Sequence, residues 1–183
     1  MTFVRIKKIK TKKGSVFSYA YLVENRYRKR KKAGRQKVVG YLGRVFSYPK
    51  KSDTSLESLG VTDIDAYFSQ KDYVGVVKDM VVAELLNHGF NFDGKCYSQS
   101  GNEVFFDGNS IRFGNVGMMK KVVYQMNEGF LCKQTYRKLI NFEGSGDERE
   151  VGMQFSHAVL EAGLKMPSEV FVGLFDKFVM KDG

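Results

Sequence analysis

Residues 16–46 read VFSYAYLVENRYRKRKKAGRQKVVGYLGRVF, and the fold turns on where the strands end and the turn begins within them. Val16 to Glu24 is rich in β-branched and aromatic residues, which favour strands. Phe17, Tyr19, Tyr21 and Val23 recur at period two and so line one face. Lys37 to Phe46 is again β-like, with Gly40 and Gly43 marking a bulge or a bend. Between these runs, Arg26 to Lys37 holds eight basic residues and no acid. With the second strand continuing through Arg28 and the third beginning near Arg35, the turn falls near Lys31-Lys32-Ala33-Gly34. Arg26, Arg28, Arg30 and Lys32 then share one face, and Tyr27 lies on the other, in phase with Tyr19 and Tyr21. Burying unpaired charge costs on the order of several kcal/mol per ion, so this tip projects into solvent or onto a polyanion.

Working outward, Val4 and Ile6 alternate with Arg5 and Lys7, and Lys12-Lys13-Gly14-Ser15 is a turn signal. Residues 1–47 therefore read as a basic three-stranded antiparallel meander. Its charge is unusual: residues 1–51 hold 17 of the 30 bases and one of the 20 acids, Glu24, so this stretch is +16 while residues 52–183 are −6. Such asymmetry points to a polyanionic partner, most often nucleic acid.

The run FVRIKKIKTKKGSVFSYAYLVENRYRKRKKAGRQKVVGYLGRV (residues 3–45) resembles the opening module of transposase-like proteins of archaea and bacteria. The likeness is carried by Tyr-Leu-Val-Glu (21–24) together with Arg-Gln-Lys-Val-Val-Gly-Tyr-Leu-Gly (35–43). It covers about a quarter of the chain and implies a DNA-contacting head, with Arg26, Arg28, Arg30, Lys32, Arg35 and Lys37 in that role. Transposases of that kind continue into a long catalytic domain, for which the remaining residues leave no room. The resemblance thus implies DNA binding without strand transfer.

Beyond the meander, Ser47 to Gly60 is polar and carries Pro49, so residues 48–61 read as a linker. Residues 62–183 read as a mostly helical domain. Thr62-Asp63-Ile64-Asp65 looks like a helix start with Thr62 as cap. Val77, Val81 and Leu85 recur every four residues across Val74 to Leu86. Residues 90–114 turn β-like, with Gly101-Asn102 and Asp107-Gly108-Asn109 as hairpin turns. Further helices are expected over Val116–Asn127, Thr135–Phe142, Asp147–Glu161 and Pro167–Met180. The expected fold is α+β: a small basic antiparallel three-stranded module followed by a mostly helical domain containing a β-hairpin.

Other motifs carry less. Lys120–Asn127, Gly129 and Thr135–Leu139 have the outline of helix-turn-helix, with Arg137 and Lys138 on the second helix, though any helical hairpin fits that outline. Asp93, Glu103 and Asp107 lie where a metal-dependent nuclease holds its ligands, but Asp93 and Asp107 precede glycine as turn residues do. His88 and His157 are isolated, with His88 placed to cap a helix end. Phe171, Leu174, Phe175 and Phe178 are spaced as a helix core face, or a dimerising one. Cys96 and Cys132 lack metal spacing and read as two reduced thiols. No catalytic residue, metal site or cofactor is assigned. No apolar run approaches the ~18–20 residues that span a bilayer, and the N-terminus lacks the apolar stretch of a signal peptide, so the chain is expected to be cytoplasmic and nucleoid-associated, with no membrane partner.

The function expected is non-enzymatic binding of double-stranded DNA through Arg26, Tyr27, Arg28, Lys29, Arg30, Lys31, Lys32, Arg35 and Lys37, with residues 62–183 contributing dimerisation or a protein contact. RNA is the alternative partner, since tyrosines on a basic ribbon also suit unpaired bases. From other classes, a small nuclease built on Asp93, Glu103 and Asp107 and an adaptor gripping an acidic protein remain open.

Overall fold

The computed structural model describes residues 2–28, 33–53, 56–115, 118–119 and 121–181. The meander forms as its patterning dictates. Strands β1 (Thr2–Lys10), β2 (Val16–Arg28) and β3 (Ala33–Ser47) pair antiparallel in order. The first turn closes through Gly14, whose positive φ of 86° suits a residue without Cβ. In the β2–β3 pairing the register shifts twice, between Ala20 and Tyr21 and between Leu22 and Val23, leaving Leu42 and Val39 of β3 without partners. The bulges fall beside Gly43 and Gly40, where the glycines anticipate them. They place Tyr41 opposite Tyr21 and Arg44 opposite Tyr19. Tyr41 and Arg44, three apart in sequence, thereby share the face that Tyr19 and Tyr21 line, which a regular strand forbids.

The chain then builds α1 (Ile64–Gln70) and α2 (Tyr73–Asn87). Asp63, one residue after the expected Thr62, caps α1 by accepting from the Ala66 backbone N–H at 3.0 Å. A second sheet follows, made of β4 (Asn91–Phe92), β5 (Tyr97–Gln99), β6 (Asn102–Asp107), β7 (Ser110–Asn115) and β8 (Met118–Met119), each antiparallel to its neighbour. Strand β9 (Val122–Met126) returns to the first sheet and lies parallel to β3, pairing Arg44–Ser47 with Val122–Gln125. β10 (Gly129–Leu131) closes a hairpin on it, and α3 (Lys133–Ile140), α4 (Glu148–Glu161) and α5 (Ser168–Lys181) complete the chain.

The expected fold class is overturned. Residues 62–183 are not mostly helical: they carry β4–β10, a full second sheet and two strands of the first. Strand, at 37% of the chain, outweighs helix at 35%. The expected helix over Val116–Asn127 is replaced by β8 and β9, among its described residues. Val122 and Tyr124 face the main core while Val123 faces a second cluster. A strand buried on both faces reads as a continuous apolar run, without alternation to betray it. The helix-turn-helix outline falls with that helix, because α3 follows a β-hairpin.

The first sheet likewise does not stop at residue 47. Ala20 and Val45 pack with Val123 and Cys132, with Val4, Ile6, Leu42 and Phe130 around them. Residues 48–61 contribute buried Tyr48 and Leu56 to the main core. The Tyr48 hydroxyl accepts from Asn102 Nδ2 at 2.6 Å, and its carbonyl lies 2.7 Å from His88 Nδ1. Phe171, Leu174, Phe175 and Phe178 all pack on this core from α5. Among the described residues no helix is long and apolar enough to cross a membrane.

Candidate nucleic-acid interface

β1 pairs with β2 from Thr2–Glu24 to Lys10–Val16. Past Glu24 the β2–β3 ladder continues alone through Asn25–Gln36, Arg26–Arg35, Tyr27–Gly34 and Arg28–Ala33. At about 3.4 Å per residue this is a ribbon roughly 13 Å long, two strands wide. Asn25, Arg26, Tyr27, Gly34, Arg35 and Gln36 are all exposed. Ala33 and Gly34 belong to β3 and not to the turn expected there, and the expected contact residues Lys29, Arg30, Lys31 and Lys32 lie outside the described residues.

Directly opposed residues of an antiparallel pair share a face. Arg26 therefore lies beside Arg35 on the face that also carries Glu24 and Lys37. The one acid of this region is engaged: Glu24 accepts from Arg26 Nε at 2.8 Å. The Arg26 hydrogen bond and charge hold the Glu24 carboxyl below its usual range, with Lys37 a lesser contributor. On the opposite face Tyr27 stands across from Gly34, which offers no side chain to cover its ring, and it is 67% exposed. Gln36 on that face accepts from Arg5 at 2.6 Å, joining the ribbon base to β1. The ribbon thus has a basic face of Arg26, Arg35 and Lys37 and an opposite face bearing an open aromatic ring.

The carboxylates do not converge. Asp93 is spent on its own turn, accepting from the Lys95 and Cys96 backbone N–H groups at 2.8 Å each. Those bonds, Cys96 first, lower its carboxyl. Asp107 ends β6 and pairs with Arg112 at 3.2 Å. Among the described residues no group of His, Cys, Asp and Glu is arranged to hold a metal ion. His88 is buried in the Tyr48 network, His157 is exposed on α4, and the two cysteines are buried and unpaired.

A second basic surface went unread in the sequence. Where β9 joins β3, a cleft of about 500 Å³ opens between β3, β7 and the start of α3, lined by Arg112, Lys121, Lys133 and Arg137 over a floor that includes Ile111 and Phe113. These four bases are scattered over 26 positions in the acidic part of the chain, so no local charge run marks them. The signal that does exist is Tyr41, at the end of the quoted aromatic stretch, which borders the cleft.

Comparison with family models, curated proteins and solved structures finds no match for this chain.

Proposed function

We propose that this chain is a non-enzymatic DNA-binding protein that lays its β2–β3 ribbon against double-stranded DNA. The observation that carries the reading is the ribbon continuing past β1 with Arg26, Arg35 and Lys37 on one face and Tyr27 open on the other. A two-stranded ribbon fits a major groove about 12 Å wide. The arginines and lysines then meet phosphates, and Tyr27 packs on sugar or base edge. Lys29, Arg30, Lys31 and Lys32 follow Arg28 in the sequence and add four charges. The likeness of residues 3–45 to the head of transposase-like proteins supports the same reading, with a chromatin-type, regulatory or mobile-element accessory role and association with the nucleoid. In it, residues 62–183 supply contact with a second copy or a protein partner.

Contacts to ~6–8 phosphates give a slope of log affinity against log salt near −5 to −7. Replacing Arg26, Arg35 and Lys37 together by Ala should weaken binding to all duplex sequences alike and reduce that slope by about 3, with the fold intact by circular dichroism. A salt-independent affinity, or a slope unmoved by the triple variant, counts against the ribbon. Tyr27 supports RNA as a second reading, because an exposed ring suits a splayed base. Competition among duplex DNA, single-stranded DNA and RNA at two salt concentrations ranks the partners.

A further inference from the structure

The cleft bordered by Tyr41 continues into a second one of about 510 Å³, lined by Tyr19, Tyr41, Arg44 and Phe46. Tyr41, Lys121 and Val122 line both, so the two form one groove across the face of the first sheet, where the chain enters β9 from the second. Its chemistry is one-sided. Arg44, Arg112, Lys121, Lys133 and Arg137 face it, and among the described residues no Asp or Glu lines either half. Arg112 is paired with Asp107, but Lys121, Lys133 and Arg137 make no ion pair among the described residues. The aromatics are organised. Tyr41 packs against Tyr21 and Tyr19 at centroid distances of 5.5 and 6.3 Å and remains 41% exposed. Arg44 is held over Phe17 at 4.2 Å and over Phe46 at 4.9 Å. A protein that must keep cations apart from one another spends free energy gathering them; here they ring a recess floored by rings.

We infer that this groove is a binding site for a short unpaired stretch of nucleic acid, distinct from the duplex-contacting ribbon. Cations without acids select a polyanion. Exposed rings set among them select one whose bases are free to stack, the combination that recurs in single-strand grooves. A duplex does not satisfy the site, because its bases are already stacked and its faces are too broad for a recess of this volume. A polyphosphate without bases satisfies the cations and leaves Tyr41 unused. The inference stands on the groove alone and does not depend on the ribbon.

The test is fluorescence anisotropy of the full chain with labelled (dT)10, (rU)10 and a 20-base-pair duplex, and with inorganic polyphosphate as competitor. Tyr41→Ala should weaken binding of the single strands roughly tenfold, the effect of losing one stacked base, and leave duplex affinity within about twofold. Lys121→Gln, Lys133→Gln and Arg137→Gln combined should lower the single-strand salt slope by about 2. These three side chains are exposed, so this variant reports on the groove even where Tyr41→Ala disturbs the sheet. Preference for (dT)10 or (rU)10 identifies the sugar the groove takes, and either supports the site. It is overturned by single strands that fail to bind, by groove variants that leave their affinity unchanged, by equal losses for duplex and single strand, or by polyphosphate competing as well as (dT)10 of equal charge. The Arg26, Arg35 and Lys37 variant moves duplex affinity in the ribbon reading, so the two sites fail separately.

Discussion

Gly43 shows how one residue joins two strands far apart in the chain. A Cβ there would lie 2.2 Å from the Lys121 carbonyl oxygen and 2.7 Å from the Val122 backbone nitrogen, and its φ is +145°. The crowding exists because Arg44 N–H donates to that same carbonyl at 3.1 Å as β9 joins β3. Gly43→Ala should therefore cost about 3 kcal/mol or more, from backbone strain and from separating the strands. Urea unfolding with an unchanged m-value checks it, and a loss below about 1 kcal/mol would show that β9 moves aside freely. Glu24 governs a different quantity. Its carboxylate holds Arg26 away from any other anion. Glu24→Gln should tighten duplex binding severalfold and steepen the salt slope by up to about one. The pH dependence has a definite sign. Glu24 is held low in the folded chain, so the stability its pairing with Arg26 contributes is present above the unfolded value and is lost as pH falls through the folded one. Wild-type affinity should rise over that same acid window, and the Gln variant should lack the rise. Equal affinities at neutral pH would mean that Arg26 does not touch the duplex.

Among the elements, those with local signals are legible in the sequence. The alternation of Phe17, Tyr19, Tyr21 and Val23 marked β2. Gly40 and Gly43 marked the bulges of β3, and Asp107-Gly108-Asn109 marked the β6–β7 turn. Asp147 and Pro167 stand at the starts of α4 and α5, where capping and helix entry favour them. β9 was illegible for a physical reason. It is buried on both faces, so Val122-Val123-Tyr124 has no polar side to set a period. Its hairpin turn, Asn127-Glu128 before Gly129, also resembles a helix ending on glycine. Without β9 there is no parallel pair with β3, and no second half of the basic surface. The ribbon was visible because its charge is contiguous. The groove was not, since Arg112, Lys121, Lys133 and Arg137 converge only once the second sheet and α3 are in place.

For the whole molecule, the decisive contact is the one between its first and last thirds. β3 lies between β2 and β9 in a single sheet. The small cluster of Ala20, Val45, Val123 and Cys132 is shared by strands from both sides of the expected linker. A meander joined only by a tether would melt on its own. One that shares a sheet and a cluster with β9 should unfold with it. Val123, fully buried at the centre of that cluster, is the residue to test. Val123→Ala removes two methyl groups from a site with limited room to collapse, at a cost of about 2 kcal/mol. In a chain of this length that lowers the melting temperature by roughly 4–8 °C. The wild-type chain should show one transition whether followed by the near-ultraviolet signal of its tyrosines or by the far-ultraviolet signal of its helices. The variant should show the same single transition, moved down. Hydrogen exchange locates the coupling: amides of β2 around Ala20 and of β9 around Val123 should lose protection together, although they lie about a hundred residues apart in sequence. Two transitions, or lost protection confined to β9, would mean that the basic meander holds its fold alone, and the groove across the β3–β9 junction would then open and close with the docking of one part on the other.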